Sequence, residues 1–439
     1  MKQRELMFTL LLAFMVSICD LKGQDSVFSA REAVDMALQQ NLGIQIAMSE
    51  LDIARINNNW GNAGKWPVVT AGIGNSEALT NLNQQLSNGN EIKRNGVTNN
   101  ILTANVSANW RIYNGMRIRA TKERFDALEK MSELQLKQEI NTLTMEVLMG
   151  YFNLVRLNMQ ARATRAIIDL SLEREKIAET RFNVGSAGKT DLLQASIDLN
   201  SQQVNLANLR QQIRVGKSNL NTLMRRNPED PLMIQDTAFT IPTLSVDEYK
   251  TKAMSQNLQL LMAQRERALL LQERRIINAQ RLPVLTLSSV TSFNRNKATG
   301  GFFLTNQTYG PNVGLNLAIP IFNGNITKTQ LKTQDIRLQQ QNLQTEELKT
   351  LIRRDLQIAY DEYRNALEVS TMEQKNVGLA RENNFISTER FKKLQSNSIE
   401  LRQAQLSLIE AQDRYITAAF RAKLASVNLQ WLSGEIVVE

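Results

Sequence analysis

The second half of this chain repeats the first. The segment Asn41–Thr70 matches Asn257–Thr286 with a shift of 216 positions, and Asn114-Gly115 matches Asn323-Gly324 with a shift of 209. The seven residues that separate the two shifts all fall between Thr70 and Asn114, so only one segment inside the repeated unit varies in length. A duplicated unit of this size predicts one pseudo-symmetric body built from two similar halves.

The repeat divides the sequence into five parts. We predict a signal peptide at 1–23, a first repeat at 24–227, an inter-repeat linker at 228–244, a second repeat at 245–434 and a short tail at 435–439. The linker is assigned because it holds Pro228, Pro231 and Pro242 in a stretch with little apolar periodicity.

Composition favours long helices. Charged residues make up 22% of the 439 residues and hydrophobic residues 42%, with only 7 Pro and 20 Gly. A mean hydropathy of −0.31 excludes a bundle of membrane-spanning helices. A formal charge of +9 on this length is too modest to indicate a nucleic-acid partner.

The N-terminus is typical of an exported protein. Lys2 and Arg4 precede an apolar run from Leu6 to Cys19, and Gly23 offers a small residue for cleavage. Lipidation of Cys19 is the alternative, but Ile18 stands where lipoprotein signals require a small residue. After cleavage the chain has no Cys, and the sequence has no His. We therefore expect no cofactor, no metal site and no enzymatic activity.

Each half begins with an amphipathic helix and continues into strands. Ser29 and Glu32 form the pattern of a capping box, which Ser245 and Glu248 repeat. After Pro67 and Pro283 the apolar period changes from 3.6 to 2, which predicts strands. The predicted strands are 68–79, 101–113, 284–293 and 313–322, and the polar stretches 81–100 and 294–308 between them are predicted to be exposed loops.

The rest of each half is predicted to be a very long helical hairpin. Apolar residues at spacings of 3 and 4 run from Met116 to about Asn183 and from Asn325 to about Lys393. Helices of that length reach about 100 Å. Short turns follow, and returning helices extend to about Met224 and Leu432.

Four strands with one apolar face predict an oligomer. Residues 102, 104, 106, 108, 110 and 112 are apolar, whereas the positions between them are mostly polar. Backbone in lipid needs every hydrogen bond satisfied, and four strands cannot close on themselves. Strands of about 10 residues cross an outer membrane obliquely, and three chains would give 12 strands, although two or four chains would also close.

The order and spacing of these segments resemble those of the TolC family of outer-membrane efflux channels. The shared features are duplicated units of helix, Trp66-Pro67 or Leu282-Pro283, two strands around a loop, Ile-aromatic-Asn-Gly at 112–115 and 321–324, and long helices with Arg-Phe followed nine residues later by an acid. The resemblance covers about Ser26 to Gly434. It implies a mostly α fold with a membrane β-barrel, in which long antiparallel helical hairpins form a periplasmic tunnel and four strands per protomer contribute to a trimeric 12-stranded barrel.

The resemblance also implies a function and partners. The chain is expected to be the outer-membrane channel of a tripartite efflux or export system in a Gram-negative cell, with a large periplasmic portion. It would passively conduct substrates received from an inner-membrane pump of the RND or ABC type through a periplasmic adaptor, in drug or metal efflux or in type I secretion. The expected partners are two further copies of the chain, the adaptor, the pump and outer-membrane lipid.

The resemblance assigns three groups of candidate residues. The helix tips that face the adaptor would hold Arg181, Phe182, Gly185, Gly188, Arg390 and Phe391, with positive φ at both glycines. The periplasmic entrance would hold Glu400, Gln403 and Asp191, and because Gln403 replaces a second acid, only a single acidic ring is expected. The aromatics Trp110, Tyr113 and Phe322 are expected at the membrane interface.

Several of these assignments have a structural alternative. Asp191 and Glu400 also suit the first turn of a helix, where the helix dipole stabilises an acid. Arg181 and Arg390 also suit contacts that hold the two arms of a hairpin together, and the three aromatics suit packing at the helix-to-strand junction. The alternative for the whole chain is a periplasmic coiled-coil scaffold or adaptor without a pore. Such a protein would carry compact β domains beside one hairpin rather than duplicated strand pairs of membrane length.

Overall fold

The structure is a computed structural model that describes residues 27–235, 239, 245–434 and 436. The predicted signal peptide with Cys19, residues 24–26, part of the predicted linker and most of the predicted tail lie outside the described residues. Within them no helix is long and apolar enough to cross a membrane.

The order of elements follows the repeat. In chain order they are β1 (Val27–Phe28), α1 (Ala30–Gln40), α2 (Leu42–Asn57), β2 (Val68–Gln85), β3 (Glu91–Asn114), α3 (Arg117–Asn183), α4 (Lys189–Leu223), β4 (Met233–Ile234), α5 (Val246–Gln256), α6 (Leu258–Ala279), β5 (Val284–Ala298), β6 (Thr305–Ala318), α7 (Ile326–Lys392) and α8 (Ser398–Ser433). The 67-residue helices α3 and α7 confirm the two predicted hairpins.

The described residues divide into two compact units, each drawing on both repeats. The first comprises the chain up to Ala47, Leu136–Leu260 and the chain from Leu348 onward, and the second comprises Met48–Gln135 and Leu261–Glu347. The repeats are therefore sequence units, and the compact units are formed from corresponding parts of each.

Each repeat opens with two helices instead of the single one predicted. α1 ends where Asn41 adopts an extended backbone, and α5 ends in the same way at Asn257. The capping box at Ser29 and Glu32 is present. The one predicted at Ser245 is not formed, because Ser245 makes no capping bond and the Glu248 carboxylate instead binds Lys252 at 2.7 Å.

The first unit has a core in each repeat. Around α3 and α4 the core centres on Leu154, Leu220 and Met224, and around α7 and α8 it centres on Leu356 and Leu429. The predicted linker contributes a strand to the fold, since its β4 pairs in parallel with β1. This pairing lies against the first core, where Ile234 and Leu232 are buried.

The second unit contains a four-stranded antiparallel sheet in the order β2-β3-β5-β6. The strands are longer than predicted, so the expectation of loops at 81–100 and 294–308 is wrong for most of those residues. The connections are only 86–90 and 299–304. The sequence did not predict these longer strands, because their added residues are mostly polar and do not alternate with apolar ones. The hydrogen bonds of the sheet join backbones and need no apolar side chains.

The fourth strand ends earlier than predicted. β6 ends at Ala318, so residues 319–322 do not continue the strand as predicted. Pro320, two residues further on, has no N–H to donate to a ladder. Phe322 therefore lies in the connection between β6 and α7.

Candidate functional site

The two hairpin turns at the ends of α3 and α7 have the same backbone geometry. In the first, Ser186 N–H donates to the Arg181 carbonyl at 2.8 Å and Gly185 has φ of 76°. In the second, Gln395 N–H donates to the Arg390 carbonyl at 2.8 Å and Leu394 has φ of 62°. The second turn thus adopts the left-handed conformation without a glycine, at a cost of about 1 kcal/mol.

The two predicted turn glycines behave differently. Gly185 has the expected positive φ, but Gly188 has φ of −75° and caps the N-terminus of α4 in an extended conformation. The expectation of positive φ at Gly188 is therefore wrong. At the corresponding place in the second repeat Asn397 caps α8, and its side chain accepts from the Glu400 N–H at 2.8 Å.

The Glu400 carboxylate is held by groups of its own turn. It accepts from Arg390 Nη1 at 2.6 Å and from the Ser396 hydroxyl at 2.8 Å. It also lies in the first turn of α8, where the helix dipole favours an acid. Its negative charge is therefore largely compensated within one protomer.

The remaining tip residues join the two hairpins. Asp191 accepts a hydrogen bond from the Ser398 hydroxyl at 2.7 Å. The Arg181 guanidinium lies 4.8 Å from the ring centre of Phe391, which is buried. Phe182 and Gln403 are exposed. Arg390 thus contacts its own hairpin and Arg181 contacts the other one, whereas Phe182 and Gln403 present their side chains at the surface.

A charged cluster near these turns was missed by the sequence interpretation. Arg174 is only 5% exposed and pairs with Asp198, which also accepts from Arg402 Nε at 2.8 Å. Arg174 further donates to the Gln405 side chain at 3.0 Å. Burial opposes the charge on Asp198, but hydrogen bonds from Arg402, Arg174 and Gln194 outweigh it and lower the pKa of that carboxyl. In the sequence, the cluster is marked only by polar residues at helix positions where the apolar period calls for a hydrophobic one.

The sheet of the second unit has one apolar and one polar face. Directly paired residues point to the same side, so the register assigns each row to a face. One face carries the row Ala104, Ile73, Phe293 and Tyr309, and the next rows of the same face contain Val106, Val69, Val313, Leu287 and Leu315. The opposite face carries Thr70, Asn105, Ser107, Asn109 and Asn312. The predicted alternation of β3 thus continues on β2 and β6, whereas β5 is less regular, with Ser289 and Thr291 on the apolar face.

The apolar face is exposed within a single protomer, and its height suits a membrane. Leu315 is 64% exposed and Val313 is 68% exposed. From Ala104 to Tyr113 the face spans about 30 Å along the strand, which corresponds to roughly 25 Å when the strand is tilted.

Aromatic side chains lie at both ends of the apolar face. Trp110 and Tyr113 lie near the helix end, where Trp110 Nε1 donates to the Lys65 carbonyl at 2.8 Å. Phe293 and Tyr309 form a cross-strand pair at the other end. The sequence did not predict this second pair, because one predicted strand ends at Phe293 and the next begins at Val313, after Tyr309. Phe322 is exposed in the connection after β6.

No group of three or more acidic, His or Cys residues that could hold a metal occurs in the described parts of the chain. The described residues instead combine a sheet that has an exposed apolar face with paired long hairpins, an arrangement typical of outer-membrane channels with helical hairpins.

Comparison with known proteins agrees with that class. Residues 33–224 and 251–435 match the family described as outer membrane efflux protein (OEP). The chain therefore belongs to the outer membrane efflux protein family. The two matched segments correspond to the two repeats. No curated protein sequence matches the chain significantly.

Solved structures show the same fold. The outer-membrane channel OprN is 16% identical, covering 92% of this chain and 89% of its own, with a TM-score of 0.76. The outer membrane protein VceC from Vibrio cholerae is 17% identical, covering 92% and 96%, with a TM-score of 0.74. CusC, whose structure is described in terms of transmembrane channel formation, is 15% identical, covering 92% of each chain, with a TM-score of 0.78.

Family membership confirms several expectations from the sequence. The chain is an outer-membrane efflux channel protein and not an enzyme, and channels of this family work with adaptor and inner-membrane pump partners. The expected fold class, mostly helical with an antiparallel sheet that contributes strands to a barrel, is confirmed as well.

Proposed function

We propose that three copies of this chain close a 12-stranded barrel in the outer membrane and passively conduct substrates to the exterior. The observation that carries the proposal is the four-stranded sheet with an exposed apolar face. Its outermost strands, β2 and β6, run in opposite directions, so β6 of one copy can pair antiparallel with β2 of the next. Three such contacts satisfy every edge, as lipid requires.

The hairpin turns are the proposed docking surface for the periplasmic adaptor. Arg181, Phe182, Gly185, Gly188, Arg390 and Phe391 belong to these turns. Exposed apolar side chains stand beside them, at Val184, Leu394 and Ile399. Apolar side chains exposed at two equivalent turns favour contact with a repeated partner surface. Because Arg181 and Phe391 contact each other, we assign them to supporting the turn and assign Phe182 and the three apolar residues to the contact itself.

The periplasmic entrance is proposed to lie at the start of α4 and α8, with Asp191, Glu400 and Gln403. Asp191 is bound to Ser398, and Glu400 is bound to Arg390. A weakly charged entrance follows, since Arg390 compensates the charge of Glu400 and Gln403 is neutral, which leaves Asp191, bonded to a neutral hydroxyl, as the acid that contributes charge. The inner-membrane pump is proposed to be of the RND or ABC type, and it selects the cargo.

Native mass in mild detergent tests the trimer, and crosslinking tests the docking surface. We expect outer-membrane extracts to give a particle of three chains that forms ion-conducting pores in planar bilayers. A photo-crosslinking side chain at Val184 or Leu394 is expected to capture the adaptor, whereas the same group at Leu343 on α7 is the matched exposed control. A soluble periplasmic monomer without pore activity would contradict the proposal and favour the scaffold alternative.

A further inference from the structure

The connection between β5 and β6 carries an exposed apolar cluster. Phe302 and Phe303 are 63% and 64% exposed, and their rings meet edge to face with centres 4.8 Å apart. Leu304 follows and is equally exposed. Three large apolar residues in water at a turn are unfavourable unless they serve a contact or a passage. The apolar face of the sheet does not account for them, since they lie beyond its end row of Phe293 and Tyr309.

The turn is fixed to β3 by hydrogen bonds. Thr299 N–H donates to the Thr98 carbonyl at 2.9 Å, and the Thr98 N–H donates to the Thr299 hydroxyl at 2.9 Å. Ala298 N–H donates to the Leu304 carbonyl at 3.0 Å and closes the turn. The cluster is therefore presented on a defined backbone.

The turn lies on the polar face of the sheet. A Cβ on Gly300 would stand 2.9 Å from Val97 Cγ2, and one on Gly301 would stand 3.3 Å from Leu82 Cδ2. Val97 is 5% exposed, so the turn covers it. Pairing runs unbroken from Thr80–Val97 to Val68–Asn109, which places Val97 on the same face as Asn105 and Ser107. That face is the polar one.

In the proposed trimer this placement brings the turn inside the barrel. The apolar face meets lipid, so the polar face lines the lumen. The turn is at the end of the sheet opposite to the ends that join helices, so it lies at the outer mouth. Twelve tilted strands about 4.8 Å apart enclose about 24 Å between backbones, a radius of about 12 Å. Stacked β layers are about 10 Å apart, so a turn on the inner wall with its exposed rings fills most of that radius.

We propose that Phe302, Phe303 and Leu304 of three copies form an apolar constriction at the outer mouth that hinders hydrated ions more than apolar or amphipathic molecules. The inference rests on the proposed trimeric barrel. An apolar ring loses water readily, so it resists hydrated ions and admits apolar or amphipathic molecules more easily. The described residues of this chain thereby hold a selective element at the exit, separate from the entrance at the helix turns.

Single-channel recording on purified full-length trimers tests the constriction. F302S/F303S is expected to raise the conductance in potassium chloride at least about two-fold, because a polar ring stays hydrated. F302L/F303L keeps the apolar ring and is expected to stay within about 30% of the original conductance. Leu79→Ser is the matched control, since Leu79 is exposed and apolar and lies at the same height on the opposite face.

A cysteine experiment locates the turn independently of conductance. Cys19 is the sole cysteine of the sequence and falls within the predicted signal peptide, so F303C supplies one thiol per mature copy. Oxidation is expected to give disulfide-linked dimers from intact trimers, because the three turns converge. L79C is expected to give none.

The outcomes separate the inference from the function on which it rests. Intact trimers in which F302S/F303S conducts like the original protein and F303C fails to crosslink would overturn the constriction and leave the channel in place. Loss of the trimer in the unmodified protein would overturn the proposed function itself.

Discussion

Arg390 donates a hydrogen bond to Glu400 at 2.6 Å, across the turn that joins α7 to α8. Both side chains are more than a third exposed, so the pair adds less than about 1 kcal/mol to stability. Its importance is electrostatic, because it compensates the acid that the sequence assigns to the channel entrance.

Arg390→Ala is expected to make the channel more cation-selective. The change leaves three Glu400 carboxylates without their partner at the proposed entrance, and rings of acids favour cations. The measurement is the reversal potential under a potassium chloride gradient. R390A/E400Q should restore the original value, and Lys393→Ala, which removes a positive charge three residues further on, should change it less. Equal shifts for R390A and K393A would show that only overall charge matters.

Asp198→Asn is expected to destabilise the hairpins. It takes the countercharge from Arg174, which is buried, and breaking such a pair costs about 3–5 kcal/mol. The thermal midpoint of helical circular dichroism measures the change. Asp335→Asn is the control, because its pair with Arg274 is about half exposed and should contribute less than about 1 kcal/mol. A D198N midpoint as close to the original as that of D335N would refute the prediction.

The contribution of Asp198 is expected to depend on pH. Its folded pKa is depressed below the ordinary value of 3.8, so the stabilisation is present above that value and is lost as the pH falls through the folded pKa. The difference in thermal midpoint between the original protein and D198N should be constant from about pH 7 to pH 5 and should shrink below about pH 4. A difference that already disappears near pH 6 would point to another titrating group.

Val313→Arg is expected to block assembly in the membrane, whereas Asn312→Arg is tolerated. The two residues are neighbours on β6, but Val313 belongs to the middle row of the apolar face and Asn312 to the polar face. A cation in the middle of the apolar face costs about 2–4 kcal/mol in lipid. The yield of native trimer in the outer membrane measures the difference. Equal yields would mean that the apolar face does not meet lipid.

Gly115→Ala is expected to cost more than Gly324→Ala, although the repeat makes the two glycines equivalent. Both have positive φ, at 65° and 64°. A Cβ on Gly115 would stand 2.6 Å from the Leu282 Cβ and 2.8 Å from the Ala279 carbonyl oxygen, whereas one on Gly324 meets nothing within 4 Å. G324A should cost about 1–2 kcal/mol from the backbone alone, and G115A should cost more because of crowding. Urea titration of each variant measures the two costs.

Much of the fold was predictable because the duplication supplies each pattern twice. The long helices begin and end within about one residue of the predicted positions, since an apolar period of 3.6 over more than 60 residues leaves little ambiguity. Strand lengths were underestimated, since the outer halves of the strands are polar. Ser245 shows the limit of a local motif, because the residues of a capping box are present while Glu248 binds Lys252 instead.

The sequence by itself determined the two repeats, the helical hairpins, the alternating strands and the family resemblance, because each follows from local periodicity and spacing. Only the tertiary structure decided which residues meet. It paired Arg390 with Glu400, buried Arg174 beside Asp198, distinguished Gly115 from Gly324 and laid the Phe302–Phe303 turn on the polar face. These contacts join residues that are distant in the chain or equivalent in the repeat, and their distances depend on how the elements pack rather than on any local pattern.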